Sequence, residues 1–167
     1  MTSSKILGYA CNCFWLLLPI LIFNLLFMRH LPAAYQMDIF WKAIPKEISL
    51  PENILRMTVM ILPVFMRLGI STPSQKLGLA LYLTGLLAYF ASWTVLIVSP
   101  QCAWSTSGIG FMAPAYTPIV WLLGIGMIGD EFFLPGVAFK PWMYWALSAL
   151  FLVFHNLHTA LVYSRGV

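Results

Sequence analysis

Residues Trp142 to Tyr163 read WMYWALSALFLVFHNLHTALVY, and this stretch indicates the class of structure. It contains no Asp, Glu, Lys or Arg, and it has the length of a helix that crosses a bilayer, about 20 apolar residues. His155 and His158 nevertheless lie inside it. Polar groups are costly in hydrocarbon, so they usually face the interior of a helix bundle and often mark function. The stretch therefore predicts a membrane-embedded helix that contributes to a polar site.

The composition of the whole chain supports an integral membrane protein. Of its 167 residues, 61% are hydrophobic and only 8% are charged, whereas soluble domains contain about 25% charged residues. Such a chain cannot cover a water-facing surface, but a bilayer can surround an apolar exterior. We expect residues 1–167 to form one all-α, polytopic bundle without a separate soluble domain.

The charge pattern favours lipid over nucleic acid as a partner. The net charge is +4, and no basic run accompanies it, so nucleic-acid binding is not expected. Lysine and arginine near the ends of apolar runs set membrane topology and contact anionic lipid. Membrane lipid is the predicted partner, and a second copy of the chain or another membrane protein is a further candidate.

Apolar runs predict five transmembrane helices. The first run exceeds the core of a signal peptide, about 7–15 residues, so we expect it to be retained as a span. The fourth contains several glycines and prolines, and we expect it to be broken near residues 114–118. It is either a helix that starts at Pro118 or one long helix kinked at both prolines. The predicted spans cover about residues 6–28, 50–70, 75–98, 108–133 and 141–163.

A sixth, shorter helix is predicted over about residues 32–44. Its apolar residues recur at helical spacing, and Tyr35 and Trp41 are residue types typical of the membrane interface. The pattern predicts an amphipathic helix that lies on the membrane surface. A lid over a cavity is the alternative.

Local motifs predict where two helices begin and how two of them pack. Residues 49–52 and 72–75 both resemble a capping box with proline in the first turn. Gly78, Gly85 and Ser92 recur every seven residues in the predicted third span. Small residues on one face let helices approach closely, so this face is expected to pack against another span.

Charged residues lie near the ends of the second and fourth predicted spans. Asp130 and Glu131 are adjacent near the end of the predicted fourth helix, where they would point in different directions. The pattern favours a solvated helix end with Lys140 nearby. Arg67 is expected to extend to the membrane interface, and Arg56 either to do the same or to pair with polar groups nearby.

Five spans place several polar residues at the same depth in the membrane. An odd number of spans puts the chain ends on opposite sides, and side one is here defined as the side of the N-terminus. The polar residues that fall toward side two are Asn24, His30, Glu52, Asn53, Arg56, Gln101, Cys102, His155 and His158. We expect several of them to meet in the bundle interior rather than to face lipid singly.

These residues suggest a ligand-binding pocket. His155 and His158 are three residues apart and share a helix face, and an arginine can hold a phosphate or carboxylate. The predicted ligand-binding residues are Arg56, His155, His158, His30, Asn24 and Asn53.

Two other chemistries and one structural role are open for the histidines. His155 and His158 are candidate catalytic residues, because imidazole serves as a general acid or base near neutral pH. They are also candidate ligands of a divalent metal cofactor, with Cys102 or His30 as a third ligand. In the structural alternative, each imidazole only hydrogen-bonds a backbone carbonyl or a helix end.

The orientation follows from the basic residues near short loops. Lys5, Arg67, Lys76 and Lys140 fall on side one, which predicts a cytoplasmic N-terminus and a C-terminus outside.

Three functions are consistent with the sequence: transport or binding of a small or amphiphilic ligand, an enzyme acting on a lipid-like substrate, or an accessory subunit of a membrane complex.

Overall fold

The computed structural model describes residues 10–133 and 136–166. It confirms an all-α bundle with five helices that are long and apolar enough to cross a membrane, as in a multi-pass membrane protein. Residues 6–9 of the predicted first span lie outside the described residues. The five spans, numbered in chain order, are Cys13–His30, Lys46–Phe65, Pro73–Val98, Gly108–Ile128 and Pro141–Tyr163.

The first span changes helix type along its length. A 3₁₀ turn, Cys13–Leu17, leads into an α-helix, Leu18–Phe27, and a second 3₁₀ turn, Met28–His30, ends it. The side chain of Asn12 accepts a hydrogen bond from the backbone N–H of Phe14 at 3.0 Å. This bond satisfies one of the N–H groups that a helix start leaves without a partner.

The second span begins earlier and ends earlier than predicted. Its α-helix is Lys46–Ile61, followed by a 3₁₀ turn, Leu62–Phe65. The capping box expected at residues 49–52 is not the helix start, because Pro45 is the cap residue and its carbonyl already accepts from the backbone N–H of Ile48 and Ser49. Pro51 therefore lies inside the helix.

A small two-stranded sheet replaces the predicted ends of the second and fourth spans. Strands β1 (Met66–Leu68) and β2 (Gly129–Phe132) pair antiparallel. The backbone N–H of Leu68 also donates to Cys11 O at 3.1 Å, which fastens the sheet to the start of the first span. The prediction that residues 66–70 and 129–133 are helical was wrong, because their backbone groups pair with each other instead.

The third span is a continuous helix whose capping box is confirmed. Thr72 Oγ1 accepts from the backbone N–H of Gln75 at 3.2 Å, and Gln75 Oε1 accepts from the backbone N–H of Thr72 at 3.0 Å. The predicted small-residue face packs against the fourth span. A Cβ atom at Gly78 would lie 2.6 Å from Met127 Cβ and 3.0 Å from Gly124 O, so only glycine fits without a shift.

The fourth span consists of two helical pieces joined at Thr117. A short helix, Ala103–Thr106, precedes it, and its pieces are Gly108–Tyr116 and Pro118–Ile128. Thr117 keeps helical backbone angles, so the two pieces continue one another as a single span that is interrupted at Thr117. The fifth span is an uninterrupted helix, Pro141–Tyr163.

Residues 31–45, hereafter the strap, do not form the predicted interfacial helix. They contain a 3₁₀ turn, Ala33–Tyr35, and a four-residue helix, Met37–Phe40, separated by an extended residue, Gln36. Tertiary contacts override the helical pattern: the hydroxyl of Tyr35 donates to the carbonyl of Phe111, and its ring stacks on Phe111 at 4.7 Å. The strap lies against the start of the fourth span and the end of the fifth, through contacts of Tyr35 with Phe111 and of Phe40 with His158.

Candidate functional site

Four ionisable side chains meet between the second and fifth spans. Glu52 and Arg56 lie one helical turn apart on the second span, and His155 and His158 lie one turn apart on the fifth. Glu52 is in contact with each of the other three. These residues are called the Glu52 cluster below.

The carboxylate of Glu52 receives the other three side chains. Arg56 Nη2 and His155 Nδ1 both bind Oε1, the imidazole at 2.9 Å, and His158 Nδ1 lies 2.5 Å from Oε2. Both carboxylate oxygens therefore have partners, although the glutamate is fully buried. A buried carboxylate is stable only with such compensation.

His158 forms the inner end of the cluster. Its side chain is fully buried, and its Nε2 lies 3.0 Å from the carbonyl oxygen of Phe40 in the strap. Its ring stacks on Phe40 with centroids 4.2 Å apart and meets the edge of Trp41 at 4.5 Å. The strap thus closes this end of the cluster with aromatic rings and one backbone carbonyl.

Arg56 and His155 form the outer end, which is partly accessible. Their side chains are 32% and 21% exposed, respectively. The guanidinium lies over the rings of Trp41 and Phe151, at 5.3 and 5.8 Å from the centroids, and His155 stacks on Phe151 at 5.3 Å. Arg56 Nε is buried without a hydrogen-bond partner among the described residues. The outer end therefore offers a cation in apolar surroundings.

Hydrogen bonds on the same turns of the fifth span hold the histidines in place. Asn156 Nδ2 donates to the carbonyl of Ala115, at 3.1 Å, in the first piece of the fourth span. Thr159 Oγ1 donates to the carbonyl of His155 at 2.8 Å. The interruption of the fourth span lies two residues beyond Ala115, so this part of the fourth span is bonded directly to the helix that carries the histidines.

The structure brings together three of the six predicted ligand-binding residues. Arg56, His155 and His158 meet in the Glu52 cluster. The other three lie elsewhere: Asn24 accepts from the Tyr89 hydroxyl at 2.8 Å, His30 is exposed beside the ring of Phe27, and Asn53 is exposed. Asn24 therefore makes the interhelical bond typical of a polar residue within a span.

The predicted metal ligands do not gather into a metal site in the structure. Cys102 Sγ lies 3.2 Å from Ser105 Oγ, in the loop before the fourth span, rather than beside His155 and His158. Within residues 10–133 and 136–166, no group of three or more His, Cys, Asp or Glu side chains has an arrangement that could hold a metal ion. In the Glu52 cluster, the imidazole nitrogens that face the carboxylate bond to it directly.

The sequence pattern predicted that Glu52 lies level with His155 and His158, which it contacts, but did not make it a site residue. An acidic residue four positions before an arginine in an apolar span is the signal that could have identified it, because each side chain reduces the cost of burying the other. Arg56 was expected either to reach the interface or to pair, and the structure shows pairing.

A second polar group lies on side one. Arg67 on β1 bonds Asp130, and its Nη1 lies 2.9 Å from Glu131 Oε1. Gln75 Nε2 also donates to Asp130 Oδ1 at 3.3 Å. The hydrogen bond to Asp130 raises the pKa of Arg67. Asp130 and Glu131 lie on β2 rather than at the helix end that was predicted, and both side chains are exposed, 37% and 54%.

No family model, curated protein or solved structure matches this chain.

Proposed function

We propose that this multi-pass membrane protein binds or transports a small or amphiphilic ligand whose anionic group docks at Arg56. The observation that carries the proposal is the partly exposed guanidinium at the outer end of the Glu52 cluster, with one buried Nε that has no partner among the described residues. Arginine holds carboxylate and phosphate groups through several N–H donors in a fixed plane.

The surroundings of Arg56 favour a ligand with an apolar part. Trp41 and Phe151 lie beside the guanidinium, with their ring centroids 5.3 and 5.8 Å from it. An acyl chain could lie against such side chains while its charged end reaches the cation. Low dielectric surroundings also strengthen the attraction between an anion and the guanidinium.

Binding of decanoate to the full chain in lipid nanodiscs tests the proposal. Arg56→Gln should weaken binding about ten- to hundredfold, because a hydrogen bond to a charged group contributes about 1.5–3 kcal/mol. Arg67→Gln is the matched control: it removes a guanidinium on side one and should leave binding unchanged. The proposal is overturned if the wild type binds decanoate no better than decanol, or if both variants lose binding equally.

A second candidate function is general-base catalysis on a lipid-like substrate. His155 Nδ1 is oriented by Glu52 at 2.9 Å, and no hydrogen bond from the described residues reaches His155 Nε2. A carboxylate that orients an imidazole with a free outer nitrogen is the arrangement of a general base. Hydrolysis of a decanoyl ester by the wild type, lost in His155→Gln, would favour this function over binding alone.

The accessory-subunit alternative makes a different prediction. If the Glu52 cluster only joins the second and fifth spans, His155→Ala and Arg56→Ala should both impair folding. Under the binding proposal, each variant should lose ligand binding while expression and oligomer size stay unchanged. Size-exclusion chromatography beside the binding assay separates the two outcomes.

A further inference from the structure

We infer that the Glu52 cluster binds its anion together with one proton, which Glu52 and His158 share. This inference rests on the proposed anion binding at Arg56 and adds its regulation. The inference predicts that the ligand carries a carboxylate or a phosphate group and binds with that group ionised.

The hydrogen bonds of His158 require the shared proton. The carbonyl of Phe40 can only accept, so His158 Nε2, 3.0 Å away, must carry a hydrogen. Nδ1 lies 2.5 Å from Glu52 Oε2, a distance at which two lone pairs would repel each other. A proton must therefore lie between these two atoms. Either His158 is an imidazolium beside a carboxylate, or it is neutral beside a carboxylic acid.

The shared proton leaves one positive charge uncompensated. In either proton position, Glu52 and His158 together have zero net charge. His155 donates through Nδ1 to Oε1 and can be neutral, and Arg56 is always protonated. The sum for the four groups is therefore +1, located at Arg56. If the shared proton leaves, the sum falls to zero, and an incoming anion must compete with the carboxylate for the guanidinium.

Among the described residues, few charged or titratable groups lie around the pair. The second span contributes Glu52 and Arg56, and the fifth contributes His155. The third span adds the Tyr89 phenol, which lies within electrostatic range of Arg56. The strap presents the carbonyl of Phe40 and the ring of Trp41 to His158. None of these contacts brings a second carboxylate, so the shared proton decides whether Arg56 is balanced.

Two variants hold the pair in its two proton states. In Glu52→Gln, the amide oxygen can still accept from Arg56 and His155, and the amide nitrogen can donate to His158 Nδ1. This variant copies the proton-loaded pair at every pH. In His158→Gln, the glutamate remains a carboxylate that no imidazole proton neutralises, so this variant copies the proton-free pair.

The experiment measures radiolabelled decanoate binding in nanodiscs over a pH series from about pH 6 to pH 10. Wild-type affinity should fall as pH rises, by up to tenfold per pH unit and about 5- to 150-fold in total, the usual range of coupling between sites. Glu52→Gln should bind tightly at every pH, and His158→Gln weakly at every pH.

Separate arms distinguish the source of the anion. Acetate and inorganic phosphate test a free soluble ion, and decanoate and a short-chain phosphatidic acid test an amphiphile with the same head group. The shared proton predicts the same pH dependence for whichever probes bind. Binding of the amphiphiles alone places the natural ligand among lipids, and equal binding of acetate places it among soluble anions.

The outcomes separate this inference from the proposed function. If wild-type protein binds none of the probes at any pH, the proposed function fails. If binding depends on Arg56 but is independent of pH, the proposed function stands and the shared proton is overturned. The proposed function also stands, and the shared proton is overturned, if Glu52→Gln keeps the pH dependence of the wild type while size-exclusion chromatography shows that it is folded.

Discussion

Glu52 receives three polar side chains inside a span that is otherwise largely apolar. Removal of a charged group from water costs several kcal/mol, and only close partners offset this cost. Arg56, His155 and His158 supply those partners, and each would be buried or half-buried with an unmet charge or donor if Glu52 were absent. At the scale of single residues, Glu52 therefore matters for stability as well as for the site.

We expect Glu52→Ala to lower the free energy of unfolding by about 3–5 kcal/mol, as when one partner of a buried ion pair is removed. Glu52→Gln should lose only about 1 kcal/mol, because the amide can still bond the same three side chains. Reversible unfolding in mixed micelles measures both values.

Glu47→Ala is the control for this comparison. Glu47 lies in the first turn of the same helix and is exposed, so its loss should change stability by less than about 0.5 kcal/mol. Equal effects at Glu47 and Glu52 would contradict a stabilising role for the cluster.

At the scale of helices, the third and fourth spans approach each other closely. Gly78 lies against Met127 and Gly124, and a Cβ at Gly124 would in turn lie 2.6 Å from the carbonyl oxygen of Gly78. Lipid gives little hydrophobic drive for helices to associate, so close backbone contact supplies much of the attraction. This contact supports the interrupted fourth span, to which the fifth span is bonded through Asn156.

Gly78→Ala should destabilise the bundle although alanine favours helices by about 1 kcal/mol over glycine. The added methyl group overpacks the interface at a cost of about 1–3 kcal/mol, so the net effect is a loss. A lower midpoint of thermal unfolding in detergent would show it. Ala80→Leu, on an exposed position of the same helix, should leave the midpoint nearly unchanged. A higher midpoint in Gly78→Ala would contradict the prediction and would mean that the two spans can move apart to accommodate the methyl group.

At the scale of the whole molecule, two polar groups occupy opposite ends of the bundle. The Glu52 cluster lies toward side two beneath the strap, and Arg67 with Asp130 and Glu131 lies on side one. The basic residues near short loops predict that side one faces the cytoplasm. The Glu52 cluster would then lie toward the outside, beneath the strap.

Cysteine labelling tests this orientation. Hydrogen bonds from the side chain and backbone of Ser105 lower the pKa of the Cys102 thiol on side two. A lowered pKa means more reactive thiolate at neutral pH, so labelling should be rapid there and should slow only as pH falls through the lowered value. In intact cells, an impermeant maleimide should label a variant that keeps Cys102 alone.

A variant that keeps only the exposed Cys11, near the start of the first span, should react only after the membrane is permeabilised. The reverse labelling pattern would show that the orientation is opposite to the predicted one. Ser105→Ala in the Cys102-only variant should slow labelling at neutral pH without changing the side from which the reagent reacts.

The sequence by itself determined the five spans, the capping box at Thr72 and the small-residue packing face. Each of these features depends on residues that are neighbours along the chain. The free energy of transfer into hydrocarbon is summed over one run of residues, and a cap or a helix face lies within one helix. For the same reason, the shared face of His155 and His158 could be predicted from their spacing.

Only the tertiary structure decided which polar residues meet. The depth of a residue in the membrane follows from its position within a span, but the lateral arrangement of the spans follows from packing between them. Glu52, His155 and His158 therefore converge, while Asn24 and His30 lie elsewhere. Strand pairing at Arg67 and the closure of the strap over His158 are also contacts between distant residues. The local pattern predicted helices at both places, because hydropathy along a segment does not report the partner that its backbone will find.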